Sequence, residues 1–576
     1  MSDSTPVTIA KLPTGVPGLD DVLGGGLPEY SFNVIAGTPG SGKTSLAHQI
    51  MFHLASPQRP ALYLTVLGEP PLKMLRYQQQ FGFFDPAKVG SSIQFHDLGQ
   101  VLITQDLGAV LARIIQLVEE HSPGLVIVDS FQSVVRAASA GTAGELGLQE
   151  FVQRLAVHLT SWQATTFLIG DYVGDLLRNN PVFTVADGVL ALTQSVDRNS
   201  VVRKLQIVKS RGHASMPGLH TFRISQPGIE VFPRMSIATR ESQRLLPPGR
   251  IATGVAGLDE LLGGGIPTGD AVLVSGPSGT GKSVLTTQFI AAGASQGEPG
   301  VIAVFEEHPK EYVRRAATLG IDLDGLVQQG QVAVIYVRPL DLSPDESLQE
   351  IQAAVARIGA KRVAIDSLSG FELALAPTFR EDFRESLYRL VGALTGTGVT
   401  VLMTMEIVQD YGELRFSPYV VSFLADDILL LRYVEIEGEL QKTLAVVKMR
   451  NSDHHLGLMR YAITARGMVM RGSLRDYRGV GSGAAELREG RQPPPYPGLT
   501  DREVIVLQAV LELGEAAVAA VAQRVGLGVP AVSAALNRLI GLDFALGHEV
   551  AAERRYRPVA RSSAQALISD RPLEQE

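Results

Sequence analysis

Cysteine is absent from this 576-residue chain, which removes disulfides, thiolate nucleophiles and Cys-ligated zinc and is compatible with a reducing compartment. Long apolar runs are missing too. No stretch reaches about 18 uncharged apolar residues, and Met1-Ser2-Asp3-Ser4 opens without a basic segment followed by an apolar one, so neither a membrane span nor a signal peptide is expected. An excess of positive charge is also lacking: 51 Lys and Arg against 59 Asp and Glu leave a formal charge of −8. That argues against a surface that coats nucleic acid, because such binding rests on many phosphate neutralisations. A local basic patch stays open. The expectation is a cytoplasmic protein with no membrane partner. Glycine, by contrast, is plentiful at 59 residues, and 45% of the chain is apolar, enough at this length for about three or four domains with cores of their own.

An eight-residue phosphate cradle occurs twice, as Gly37-Thr38-Pro39-Gly40-Ser41-Gly42-Lys43-Thr44 and as Gly276-Pro277-Ser278-Gly279-Thr280-Gly281-Lys282-Ser283, with the two lysines 239 residues apart. Glycines in this pattern let the backbone curl until its N–H groups point at phosphate oxygens, at the N-terminus of a helix. Lys43 and Lys282 add a point charge, and Thr44 and Ser283 offer a hydroxyl to Mg²⁺. The flanks agree: Phe32 to Ala36 and Ala271 to Ser275 read as buried strands, Ser45 to Leu54 and Val284 to Ala292 as helices. Each cradle is therefore a candidate site for ATP and Mg²⁺.

The repetition extends past the cradles. Thr14-Gly15-Val16 and the run from Gly18-Leu19-Asp20 to Gly24-Gly25-Gly26-Leu27-Pro28 recur as Thr253-Gly254-Val255 and Gly257-Leu258-Asp259 to Gly263-Gly264-Gly265-Ile266-Pro267. Leu125-Val126-Ile127-Val128-Asp129-Ser130 corresponds to Val363-Ala364-Ile365-Asp366-Ser367. A carboxylate at such a strand's end can hold the metal's water shell opposite the cradle, so Asp129 and Asp366 join Thr44 and Ser283 as candidate metal ligands. Glu306 and Glu307 follow the strand-like Val301 to Val304 and are candidate bases for the water that attacks the γ-phosphate, a role worth roughly 10² to 10⁴ in rate. In the first half the matching stretch is Leu67-Gly68-Glu69-Pro70, so Gly68 stands where the leading glutamate does. That half is expected to bind nucleotide and turn it over slowly. Lys209 with Arg211, and Lys448 with Arg450, each set two cations on one face of a strand. Such a pair suits a triphosphate, and in an oligomer it can reach the neighbour's, where an arginine finger contributes roughly 10³ to 10⁵ in rate.

Together with the segment from Asp427 to Glu439, these landmarks make residues 8 to about 480 resemble the KaiC family of double RecA-like ATPases. The resemblance implies an α/β fold of two tandem RecA-like P-loop domains with mostly parallel sheets, here 1–246 and 247–483. It also implies a double-ring homohexamer with ATP at subunit interfaces, slow hydrolysis and, in clock members, an autokinase acting on an adjacent Ser-Thr pair. Alignment on Leu431-Arg432-Tyr433-Val434 puts Ser422 at the phosphorylated serine and Phe423 at its partner. Ser422 is thus a candidate phosphoacceptor, while a two-site phosphorylation cycle is expected to be impaired.

A Gly/Pro-rich linker (484–498) leads to a change of composition. Thr500 and Glu503 form a capping box that opens one helix, Ala516 to Val525 reads as a second, and Pro530 suits the first turn of a third, Ala531 to Ile540. A hairpin from Phe544 through Arg557 completes a small α+β domain (499–560) that resembles a winged helix-turn-helix, followed by a tail, 561–576. Residues 498 to 576 carry 8 Arg and Lys against 10 Asp and Glu, so bulk charge offers DNA no attraction. Arg554, Arg555, Arg557 and Arg561 nevertheless cluster as candidate phosphate contacts, and Ser533, Asn537 and Arg538 are candidate groove contacts. A signalling protein is the other candidate partner.

The leading expectation is an oligomeric ATP switch that hydrolyses in its second half through Glu306 or Glu307, Lys282, and Lys448 or Arg450 of an adjacent subunit. Two alternatives are a Ser/Thr autokinase and a nucleotide-regulated DNA-binding or signalling protein. A RecA-type DNA motor needs basic strand-holding loops, and Asp171-Tyr172-Val173-Gly174-Asp175 is acidic.

Overall fold

The computed structural model describes residues 9–66, 71–104, 107–140, 144–172, 181–197, 200–234, 249–337, 343–375, 377–380, 383–408, 424–450, 452–480, 483–487, 499–541, 544–550 and 553–558. Two compact units are present, one of residues 1–236 with 341–349 and 376–381, the other containing the rest.

In the first unit the cradle strand β1 (Phe32–Gly37) leads into helix α1 (Lys43–Leu54), followed by β2 (Ala61–Thr65), β3 (Ile93–Asp97), β4 (Leu125–Asp129), β5 (Thr165–Gly170), β6 (Gly188–Asp197), β7 (Ser200–Ser210), β8 (His220–Ser225) and β9 (Gly228–Phe232). They form one sheet in the order β9-β8-β7-β6-β1-β5-β4-β2-β3. From β6 to β3 all neighbours run parallel, and β7 to β9 return antiparallel. The parallel strands are almost wholly apolar because both faces are covered: Val34, Leu62 and Val126 enter one core, while Ile35, Tyr63 and Ile127 enter the other.

The second unit repeats the plan with β10 (Ala271–Gly276), α2 (Lys282–Ser295), β11 (Gly300–Val304), β12 (Val332–Tyr336), β13 (Arg362–Asp366), α3 (Leu368–Ala374), β14 (Thr400–Glu406), β15 (Asp427–Ile436), β16 (Glu439–Met449), β17 (Met459–Thr464) and β18 (Gly467–Ser473). Its strand order, β12-β11-β13-β14-β10-β15-β16-β17-β18, is the same order for the matching strands. These two large mostly parallel sheets with their helices are tandem RecA-like α/β domains. One stretch read as linker is otherwise: β19 (Ala484–Leu487) pairs with β15, where its backbone groups find ladder partners.

At the C-terminal end lie α4 (Asp501–Leu513), β20 (Ala516–Ala517), α5 (Val518–Val525), α6 (Val529–Gly541), β21 (Ala545–Val550) and β22 (Glu553–Pro558). Thr500 and Glu503 cap α4 reciprocally, as their spacing predicts. Ala516 and Ala517 form a short strand on β22 rather than the start of a helix, so the sheet has three strands, β20-β22-β21. Val506, Val510, Val521, Leu536 and Tyr556 close a core of their own, joined by Val469 from β18. Among the described residues no single helix is long and apolar enough to cross a membrane.

Candidate nucleotide sites

Both cradles have the same backbone form. Gly40 and Gly42 take φ values of 78° and 96°, Gly279 and Gly281 of 76° and 97°, a left-handed region open to glycine at little cost. The following helix starts at Lys43 or Lys282, two residues earlier than its apolar pattern indicates. That places the lysine in the first turn, with its side chain folded back over the loop. Lys43 Nζ donates to the Thr38 carbonyl (2.8 Å), and Lys282 Nζ to the carbonyls of Gly276 (2.8 Å) and Pro277 (2.9 Å).

Around the first cradle, Thr44 Oγ1 donates to Asp129 Oδ2 (2.8 Å), and so does the buried Tyr63 hydroxyl (2.7 Å). Burial pushes the Asp129 carboxyl up, against the hydrogen bonds from Tyr63 and Thr44 and the charge of Lys43. A hydroxyl and a buried carboxylate in contact form a hard-oxygen donor set of the kind Mg²⁺ takes, so Thr44 and Asp129 fit that ion. Lys43 is ion-paired with Asp171 at 2.7 Å. Sequence reasoning missed both Tyr63 and this use of Asp171; the end of the neighbouring strand β5 is the signal that locates the latter. Gly68 and Glu69 lie outside the described residues, but Thr65 and Val304 hold the same register opposite Asp129 and Asp366, so by count it is Leu67 that corresponds to Glu306, and Gly68 corresponds to Glu307.

Around the second cradle, Asp366 Oδ1 accepts from Thr404 Oγ1 (2.6 Å), and Glu306 Oε1 accepts from Ser367 Oγ (2.7 Å). Ser367 also caps α3, taking the Gly370 N–H at 3.0 Å. Burial pulls the Lys282 ammonium below its usual range, opposed by the charges of Glu406, Asp366 and Glu306. These three acids therefore surround one lysine. Glu307 turns aside to Arg315 in an ion pair, so of the two adjacent glutamates it is Glu306 that faces Lys282. A Cβ on Gly370 would sit 2.7 Å from Glu306 Oε1 and 2.8 Å from its Cγ, so the bare backbone of α3 makes room for Glu306. Ser133 occupies the matching position after Asp129. Ser283 is half-buried beside Lys282 and offers the hydroxyl that Thr44 offers in the first half.

The Lys-x-Arg pairs do not reach the cradles of their own halves. Lys448 lies opposite Ile428, which lies opposite Leu273, and Lys209 stands at the level of Val34 in the same way. Each is three residues short of the cradle's first glycine, roughly 10 Å, and the chain runs on away from it. Lys448 Nζ donates to the Ala425 carbonyl (2.6 Å) and Arg450 pairs with Asp426 (3.0 Å). Lys209 likewise bonds the Phe183 and Thr184 carbonyls, and Arg211 pairs with Asp187 at 3.4 Å.

In the C-terminal unit, Arg538 is corrected as a groove contact. Its Nε meets Glu503 at 3.0 Å, and its Nη2 donates to the carbonyls of Met470 (3.1 Å) and Arg471 (2.8 Å) on β18. Only 12% of its side chain is exposed, because the largely buried Glu503 must be neutralised. Asn537 and Arg557 are exposed and Arg555 is half-buried, while Arg554 lies on β22. Ser422 and Arg561 lie outside the described residues.

A profile of the family described as "ATPase: KaiC" matches residues 12–236 and 251–474, once over each half. The circadian clock oscillator protein KaiC of Thermostichus vulcanus is 30% identical over 495 residues, spanning 84% of this chain and 93% of its own length. The circadian clock oscillator protein KaiC 1 of Synechocystis sp. is 30% identical over 489 residues, spanning 83% and 92%. KaiC of Prochlorococcus marinus is 29% identical over 491 residues, spanning 84% and 96%. Two matched halves, two cradles in register and coverage of most of each relative lead to one conclusion: this chain belongs to the KaiC ATPase family.

Proposed function

We propose that the protein is an oligomeric ATP-driven switch in which the second half hydrolyses ATP and the first holds nucleotide mainly as structural support. The observation that carries this is Glu306, fixed by Ser367 beside Lys282 and Asp366 with Gly370 leaving it space. In the first half Leu67 and Ser133 stand at the corresponding positions. Glu306 has the role of general base, drawing a proton from the attacking water. Lys282 neutralises charge on the transferred phosphoryl group, and Ser283 with Asp366 would hold Mg²⁺, as Thr44 with Asp129 would in the first half. Bound Mg²⁺ supplies charge stabilisation on the phosphates. Lys448 and Arg450, turned away from their own cradle, serve the nucleotide of an adjacent copy, in keeping with a homohexamer of two rings. The C-terminal unit passes the nucleotide state to a protein or DNA partner, with Arg555 and Arg557 of β22 as candidate contacts.

Steady-state turnover of Lys43→Ala and Lys282→Ala beside wild type, with sizing under ATP and under ADP, tests the division. Lys282→Ala is expected to abolish most turnover and Lys43→Ala chiefly to impair assembly. Loss of most turnover in Lys43→Ala with assembly intact would reverse the assignment. Mass spectrometry after incubation with ATP tests the autokinase alternative, which requires phosphate on Ser422 or a neighbouring hydroxyl.

A further inference from the structure

The two cradles are backed by equivalent hairpins, β8–β9 and β17–β18. Gln49 on α1 brackets Ile229, accepting from its N–H (2.7 Å) and donating to its carbonyl (3.1 Å); Gln288 on α2 does the same to Met468, at 2.7 and 3.4 Å. Ile224 in the first half and Ile463 in the second stand against Gly42 and Gly281, each 2.7 Å from where a Cβ would be. In the second half alone, a phenol is added at the neighbouring inward position. Tyr461 on β17 donates its hydroxyl to the Thr280 carbonyl inside the cradle, and both groups are buried. The corresponding residue on β8 is Phe222, buried and without a hydroxyl. Tyr433 adds a longer bond to the Ser278 carbonyl at 3.3 Å, and its counterpart is Gln194.

β17 pairs with β18, and β18 is the strand whose Met470 and Arg471 carbonyls Arg538 holds from α6. Arg538 also reaches back to Glu503, the residue that caps α4. One continuous set of bonds thus runs from Thr280 through Tyr461, across the β17–β18 pair, to Arg538 and the first turn of the C-terminal unit. Its members are packed: Val469, between Met468 and Met470, lies in the C-terminal unit's own core.

We infer that Tyr461 and Arg538 are positioning residues that couple the second cradle's hold on nucleotide to the docking of the C-terminal unit on β18. A change at either end alters the other by the same factor, since coupling between two binding equilibria is reciprocal. The first cradle, backed by Phe222, is outside this connection. The inference rests on nucleotide binding at the second cradle and not on which half hydrolyses.

Equilibrium titration of the full chain with a fluorescent, non-hydrolysable ATP analogue tests it, with Lys282→Ala marking the phase that belongs to the second site. Tyr461→Phe is expected to weaken that phase about 3- to 10-fold, the range of one neutral hydrogen bond, and to leave the other phase unmoved. Arg538→Ala should weaken the same phase, Arg538→Lys should restore part of it, and the double variant should fall short of the product of the two effects. Hydrogen exchange of the wild type guards against misfolding of Arg538→Ala. Amides of residues 468–471 and 532–541 should gain protection when the analogue is added, and should not in Lys282→Ala. An Arg538→Ala phase equal to wild type, or exchange indifferent to nucleotide, overturns the coupling. A Lys282→Ala titration that loses no phase overturns the nucleotide reading of this site and the inference with it.

Discussion

In the first half Lys43 is paired with Asp171, Thr44 with Asp129, and Tyr63 closes over the same carboxylate; in the second, Lys282 bonds the backbone carbonyls of Gly276 and Pro277 while Glu406, Asp366 and Glu306 share its charge. The cradles are alike in sequence and in φ, so the cradle decides only that phosphate is gripped. What is done with it is decided by the ends of the neighbouring strands. On the proposed reading, a glutamate with a glycine facing it marks the half that hydrolyses. The other half carries, in those places, a leucine and a serine.

The largest effect separating the halves is expected from the finger pair. If it acts on an adjacent copy's nucleotide as proposed, Arg450→Ala should lower ATP turnover by roughly 10³, the lower bound for an arginine finger, with the assembly's size unchanged by sizing. Arg211→Ala should change turnover by less than about two-fold. Equal losses from the two would erase the functional difference.

A second contrast lies at the amino ends of β6 and β15, where Gly188 is matched by Asp427. Burial, and then the charges of Asp270 and Asp426, push the fully buried Asp427 carboxyl up to about 7. Its folded pKa exceeds the unfolded one, so its contribution is intact below about pH 4 and is lost as pH rises through 7. Asp427→Asn should therefore raise the thermal midpoint at pH 8, by the equivalent of at most about 4 kcal/mol, and the gain should vanish near pH 4. A gain independent of pH would assign the effect to packing instead.

Gly370→Ala sharpens the comparison at the base itself. The added methyl would collide with Glu306, and turnover should drop by about 10², the lower end for losing a general base. Ser133→Ala in the first half should leave turnover within about two-fold. An active Gly370→Ala variant would show that Glu306 need not sit where Ser367 holds it.

Much of this was legible in the sequence. The apolar runs before each cradle, the 239-residue offset and the acid-terminated strands give the two sheets, the cradle residues and the pairing of Thr44 with Asp129, because each rests on local pattern and on repetition. Contacts between strands distant in sequence were not legible. Tyr63 is one apolar-run residue among several until β2 is set beside β4, and Tyr461 reads as core until β17 is placed behind the cradle. Arg538 misled for a different reason. On a helix with a half-polar face an arginine reads as exposed, and only the burial of Glu503 at the cap of another helix draws it inward. Gly370 carried a usable signal, since the repeat itself sets it against Ser133 while Glu306 is set against Leu67.

The central claim, that one half does the hydrolysis through one carboxylate, is met most directly by steady-state ATP turnover of Glu306→Gln in the assembled protein. A fall of at least about 10² is predicted, with nucleotide binding retained at both sites. Turnover above half of the wild-type rate would contradict it and move the chemistry elsewhere in the chain.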